Sequence, residues 1–89
     1  VNIIWDEEKN DKLKAERGIS FEVVADLIIG RKYVAILRNP KRPRQRMFLV
    51  PIHGYIHVVP FVFDEESNVV LKTVFPSRKL NKKYGEKKK

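Results

Sequence analysis

After a short apolar start, hydrophobic positions along this chain keep helical spacing up to Gly30 and then switch to alternation. Asn2–Trp5 reads as a short strand. Asp6 follows as an N-cap, with Glu7 and Glu8 in a first turn where the helix dipole favours carboxylates. The helix predicted over Glu7–Arg17 is mostly polar, with Leu13 and Ala15 as its main apolar members, so it must lean on the rest of the fold. Gly18 is its left-handed stop. Ser20 caps a second helix, and Ile19 is placed to staple onto Val24. Phe21, Val24, Ala25 and Ile28 follow the i, i+3, i+4, i+7 rule and form one buried stripe, which Gly30 ends.

Beyond Gly30 the period is two. The pattern predicts strands over Tyr33–Leu37, Met47–Ile52, Tyr55–Phe63 and Val69–Phe75. Asn39–Gln45, with two Pro and three bases, is an exposed loop, and His53-Gly54 is a tight hairpin turn in which Gly54 supplies a positive φ. Pro51 and Pro60 offer no N–H, so each must face an unpaired side or a bulge. Asp64–Asn68 is a further turn, Pro76 ends the last strand, and Ser77 caps a short helix to about Tyr84. The order β-α-α-β-β-β-β-α, with short connections between strands, predicts a two-layer α+β domain. An antiparallel meander packs against the two N-terminal helices, and a short C-terminal helix follows.

The 89 residues suffice for one modest core. A single domain is expected over residues 1–85, with a lysine-rich tail at 86–89. The chain has no Cys, which removes disulfides and Cys-ligated zinc, and its two His, four residues apart, argue against a dedicated transition-metal site. No apolar run reaches the ~18 residues of a membrane span. The apolar stretch Val1–Trp5 is too short for a secretion signal, and a cytoplasmic location is expected.

Charge gives the lead to a partner. Residues 1–29 carry seven acids and four bases, residues 30–70 three acids and seven bases, and residues 71–89 one acid and eight bases. The formal net charge is +8. Such a gradient attracts polyanions, nucleic acid first among them. Arg46 opens a strand, and Arg78 and Lys79 follow the last one. A meander is expected to gather these three, with Lys72, into one phosphate-binding patch. Lys82 and Lys83, on the predicted last helix, join them as RNA contacts. His57 shares a strand face with Tyr55, Val59 and Phe61 and is a proton carrier or, more simply, a structural histidine. Carboxylates are scarce in the basic half, which argues against Mg²⁺-dependent chemistry. RNA needs no metal: its 2′-OH is an internal nucleophile, and cations can align it and stabilise the developing charge.

Several stretches resemble the BrnT family of bacterial toxins. Ile4-Trp5-Asp6-Glu7-Glu8-Lys9 is similar to the family's W-D-x-x-K opening, and Gly18-Ile19-Ser20-Phe21-Glu22 to its G-[VI]-x-F-E. Thr73-Val74-Phe75-Pro76-Ser77-Arg78-Lys79, followed by Tyr84, resembles I-I-S-A-R-R, and Arg46-Met47-Phe48 stands where the family opens a central strand with Arg. The chain departs from the family at three places. Glu16 and Arg17 replace a Lys-His pair, Leu13 replaces an Asn, and Ser77 replaces an Ala.

The resemblance implies a RelE-like fold. It also implies an endoribonuclease that cleaves mRNA (with or without the ribosome) and arrests translation as the toxin of a type II toxin–antitoxin module; the carboxylate-poor basic half makes it metal-independent and without a cofactor on this reading. The implied partner is a ribbon-helix-helix antitoxin of the BrnA kind. Arg46 and Arg78 become the phosphate and transition-state ligands, Lys79 a supporting charge, and His57 and Tyr84 the proton carriers. The competing reading from the residues alone is a non-catalytic basic module that binds nucleic acid or an acidic protein.

Overall fold

Capping fixes where the chain turns in its first third. The Asp6 carboxylate accepts from the Glu8 and Lys9 N–H groups at 2.8 and 3.3 Å and starts helix α1, Glu7–Arg17. Gly18 ends it in the left-handed conformation, φ 67°, with its N–H on the Lys14 carbonyl. Ser20 Oγ accepts from the Val23 N–H at 3.2 Å and starts α2, Phe21–Ile29. The computed structural model describes residues 2–85, so the tail expected at 86–89 lies outside the described residues.

One sheet takes the rest. Its strands are β1 (Ile3–Ile4), β2 (Ala35–Arg38), β3 (Arg46–Ile52), β4 (Tyr55–Phe63), β5 (Val69–Leu71) and β6 (Phe75–Pro76), and the last helix is α3 (Arg78–Tyr84). The spatial order is β1-β5-β4-β3-β2, with β6 also on β4. The expected meander is present from β2 to β5. The first strand instead pairs parallel to β5, because α1 and α2 carry the chain across to the far edge before β2 begins. His53 and Gly54, at φ 54° and 75°, turn β3 into β4, and two consecutive positive φ values match the twist of the flanking strands.

The predicted strand over Val69–Phe75 is broken in two, and Pro60 is the reason. Leu71 pairs with Phe61 and Phe75 with Val58, so three residues (72–74) oppose two on β4. This one-residue excess is a β-bulge. Pro60 has no N–H to give on that side, and its carbonyl takes only the Lys72 N–H at 2.9 Å. Pro51 falls beyond the end of β2, on the unpaired side of β3.

Alternation sorts the side chains into two layers. Phe48, Val50, Ile52, Val59, Phe61, Val69 and Leu71 meet Leu13, Ile19, Phe21, Val24 and Ile28 of the helical segment. Phe48 stacks on Phe61 with ring centroids 4.4 Å apart. On the other face Leu49, Ile56 and Val58 are covered by Leu80 and Tyr84 of α3. The architecture is α+β as expected, with α3 as a partial third layer that the strand-and-helix order did not place. No helix among the described residues is long and apolar enough to cross a membrane.

Candidate functional site

Helix α1 buries only Asn10 and Leu13. Lys9, Lys12, Leu13 and Glu16 stand three or four residues apart and share one stripe. Opposite that stripe the bulge presents Lys72 and Thr73. In a regular strand two consecutive residues point to opposite faces; off the ladder, both line the same opening. A groove of about 390 Å³ results, lined by Lys9, Lys12, Leu13, Glu16, Arg17, Phe21, Lys72 and Thr73. Its lining thus holds four cations, one carboxylate and one hydroxyl. Phe21 is also gripped from below by Trp5, with ring centroids 5.9 Å apart.

The groove's wall is pinned by one buried amide. Asn10 is fully buried; its Oδ1 accepts from the Phe21 N–H at 2.8 Å and its Nδ2 donates to Glu22 Oε1 at 2.9 Å. It therefore ties α1 to the first turn of α2 and fixes the Arg17–Ser20 connection. The Asn10 amide and the Glu22 N–H hold the Glu22 carboxyl below its ordinary 4.5 against desolvation, with lesser help from the Lys14 ammonium and the Ser20 hydroxyl. The Lys14–Glu22 contact itself is long, 3.9 Å, and solvent-exposed, so it adds little.

The sequence-predicted residues do not converge. Of them only Lys72 lines the groove. Arg46 begins β3 opposite Arg38 and Phe61, on the face carrying Phe48 and Val50. Arg78 and Lys79 open α3, which docks on the opposite face through Leu80 and Tyr84. The start of α3 is set by the Ser77 N–H on the Ile56 carbonyl and by Asn81 Oδ1 accepting from the Ile56 N–H at 2.9 Å. Ile56 is five residues along β4 from Phe61, roughly 17 Å. Arg46 and the Arg78–Lys79 pair thus occupy different ends and different faces of the sheet, and the single patch expected for them is not formed.

The proton carriers separate too. His57 is buried on the α1–α2 face, with Nδ1 held 2.8 Å from the Tyr55 carbonyl of its own strand. Tyr84 packs on the α3 face, with Lys83 Nζ 5.6 Å from its ring centroid. The sheet stands between them, so they cannot serve one phosphate together. Lys82 and Lys83 are exposed on α3 beside Arg78 and Lys79 and make that helix a basic outer surface.

Sequence reasoning missed Lys9, Lys12 and Glu16 as a group. The signal was present: a helix with so narrow an apolar face leaves a charged stripe at i, i+3, i+7, and Glu16 and Arg17 stand where the chain departs from the family it resembles. A second opening, between β1 and α2, is lined by Asn2, Ile3, Ile4, Trp5, Glu22, Ala25, Asp26 and Ile29. It holds two carboxylates and no base, and does not suit a polyanion.

Set beside solved structures, the chain aligns with the Brucella abortus ribonuclease toxin BrnT at a TM-score of 0.64, over 86% of this chain and 96% of that one. This chain has the BrnT fold. Sequence identity to BrnT is 19%, so the likeness is one of fold. No family model matches the chain, and no curated protein matches it in sequence. The two positions where the BrnT pattern has Lys-His, here Glu16 and Arg17, both face the groove. Leu13, where the pattern has Asn, is in the core, and the buried amide of α1 is Asn10, one turn earlier on the same side.

Proposed function

We propose that this protein is the toxin of a type II toxin–antitoxin module and cleaves RNA in the groove between α1 and the β5–β6 bulge, without a metal. The observation that carries this reading is the composition of that groove: four cations around one carboxylate, on the fold of a ribonuclease toxin.

Each group has a task that its chemistry allows. Arg17 offers a planar fork to the scissile phosphate, and Lys9, Lys12 and Lys72 add point charges as negative charge grows on the phosphoryl oxygens. Glu16 takes the proton from the ribose 2′-OH. The 2′-oxygen attacks phosphorus, the bond to O5′ breaks, and a groove ammonium protonates the leaving oxygen. The products are a 2′,3′-cyclic phosphate and a 5′-OH, so atoms and charge balance with no external reactant. Glu16 and Arg17 together take over the acid–base and scissile-phosphate tasks assigned by resemblance to His57, Tyr84, Arg46, Arg78 and Lys79. The basic face of α3 remains an outer RNA contact. The substrate is cytoplasmic mRNA, and a ribbon-helix-helix antitoxin is the natural partner in such a module.

Incubation of the protein with single-stranded RNA in EDTA tests the reading. Fragments ending in cyclic phosphate are expected from wild type. Glu16→Gln should bind the same RNA and cut it roughly 10²–10⁴-fold more slowly. Intact but retarded RNA with wild type would replace the enzyme with a binding module.

A further inference from the structure

Arg38 and Arg46 stand directly opposite one another on β2 and β3. The next pair outward, Asn39 and Gln45, is bonded through the main chain, with the Asn39 N–H on the Gln45 carbonyl at 3.2 Å. Bonded and non-bonded pairs alternate in an antiparallel ladder, so Arg38–Arg46 is a non-hydrogen-bonded pair. Such pairs bring their side chains closest, at Cα separations of about 4.5 Å. Both arginines are exposed on one face. Like charges placed this way destabilise a sheet. Among the described residues neither has a carboxylate within ion-pair distance.

The loop that follows repeats the theme. Residues 38–46 contain five cations: Arg38, Lys41, Arg42, Arg44 and Arg46. From residue 27 to residue 63 the chain has no Asp or Glu at all. The loop is built rather than loose. Asn39 accepts from the Lys41 N–H through Oδ1 at 3.1 Å and from the Arg42 N–H through its carbonyl at 3.1 Å, and the Gln45 N–H returns to the Arg42 carbonyl at 2.8 Å. The Asn39 and Gln45 side chains bond at 2.9 Å. An ordered hairpin thus holds mutually repelling guanidinium groups in register, an arrangement that becomes favourable when an anion with several charges lies across it. Protein interface cores are depleted of charge; a phosphodiester strand neutralises several cations at once.

We propose that Arg38 and Arg46, with Lys41, Arg42 and Arg44, form a phosphate clamp for the backbone of single-stranded RNA, separate from the cleavage groove. The identity of the ligand as RNA rests on the reading of the groove given above. The cross-strand row runs Arg38, Arg46, Phe61, Leu71, and Lys72 comes next. From Arg46 to Leu71 is two strand spacings, roughly 10 Å. The clamp therefore holds the substrate strand a few nucleotides from the scissile bond.

Anisotropy of a labelled 2′-O-methyl oligonucleotide, measured across salt concentrations, tests the clamp independently of cleavage, because that strand has no 2′-OH to react. Each phosphate contact on a single strand contributes a slope of about 0.7 in log K against log salt. Arg38→Gln and Arg46→Gln should each lower the slope by about 0.7, and the double variant by about 1.4. Lys14→Gln, equal in charge but outside both sites, should leave it unchanged. Relief of the like-charge pair means the variants should melt no earlier than wild type, and circular dichroism checks that they are folded. A double variant with the wild-type slope overturns the clamp. A wild type that binds as expected yet never cuts unmodified RNA sinks the groove reading alone. One that cuts, with a slope indifferent to both arginines, sinks the clamp alone.

Discussion

The α1 groove and the β2–β3 hairpin are both strongly basic, and they are built by different rules. The hairpin gathers its cations from nine consecutive residues; the ladder register does the rest. The groove gathers Lys9, Lys12, Glu16 and Arg17 from one end of the chain and Lys72 and Thr73 from the other. It needs a bulge to aim the second set and a buried Asn to hold the first. The groove is concave and contains a carboxylate among its cations, and the hairpin has none. Density of positive charge says where a polyanion rests. On the proposed reading, the carboxylate placed within that charge marks where a bond is broken.

The sharpest way to break this comparison is to remove the acceptor. Glu16→Gln should lose roughly 10²–10⁴-fold in cleavage rate while RNA affinity stays the same or rises, read from single-turnover cleavage and anisotropy together. Equal loss of both would make Glu16 a structural residue and erase the distinction between the two surfaces.

The frame behind the groove is next. Asn10→Ala leaves the buried Phe21 N–H without its partner and should cost about 1–3 kcal/mol in urea unfolding. It should slow cleavage as the Arg17–Ser20 connection loosens, and hydrogen exchange in the β2–β3 hairpin should be unmoved under native conditions. A smaller, opposite effect is expected at the hairpin. Arg46→Gln should stabilise the RNA-free protein by about 0.2–1 kcal/mol, with the gain shrinking as salt screens the pair.

The last prediction is a pH profile. The Glu22 carboxyl is held below its ordinary 4.5 in the folded state. It therefore contributes stability that is complete above that value and is lost as pH falls through the lowered folded-state value. Unfolding midpoints of wild type and Glu22→Gln should differ above pH 4.5 and converge in acid. Curves that stay parallel to the acid limit would remove Glu22 from the Asn10 frame.

Much of the fold was legible in advance because its signals are local. Asp6, Gly18, Ser20 and Ser77 each act on N–H or carbonyl groups within one turn, so they set helix ends whatever the rest of the chain does. Strand alternation likewise sorted Phe48 and Phe61 from Leu49 and Val58. The parallel pairing of β1 with β5 was not legible, since a two-residue strand has no pattern that names its neighbour. The bulge was legible in half: Pro60 announced that a ladder bond would be missing, but not which strand would carry the extra residue.

The residues alone determined the charge imbalance, the helix caps, the strand faces and the hairpin cations, because each depends on composition or on groups a few positions apart. Only the tertiary structure decided which bases share a concavity. Arg46 and Arg78 looked like partners and stand at different ends of β4, while Lys12 and Lys72, sixty residues apart, line one groove. Side-chain convergence depends on sheet order, on a single skipped residue and on which face each helix covers. All three are settled by burying the whole core at once, and no short stretch of sequence encodes that.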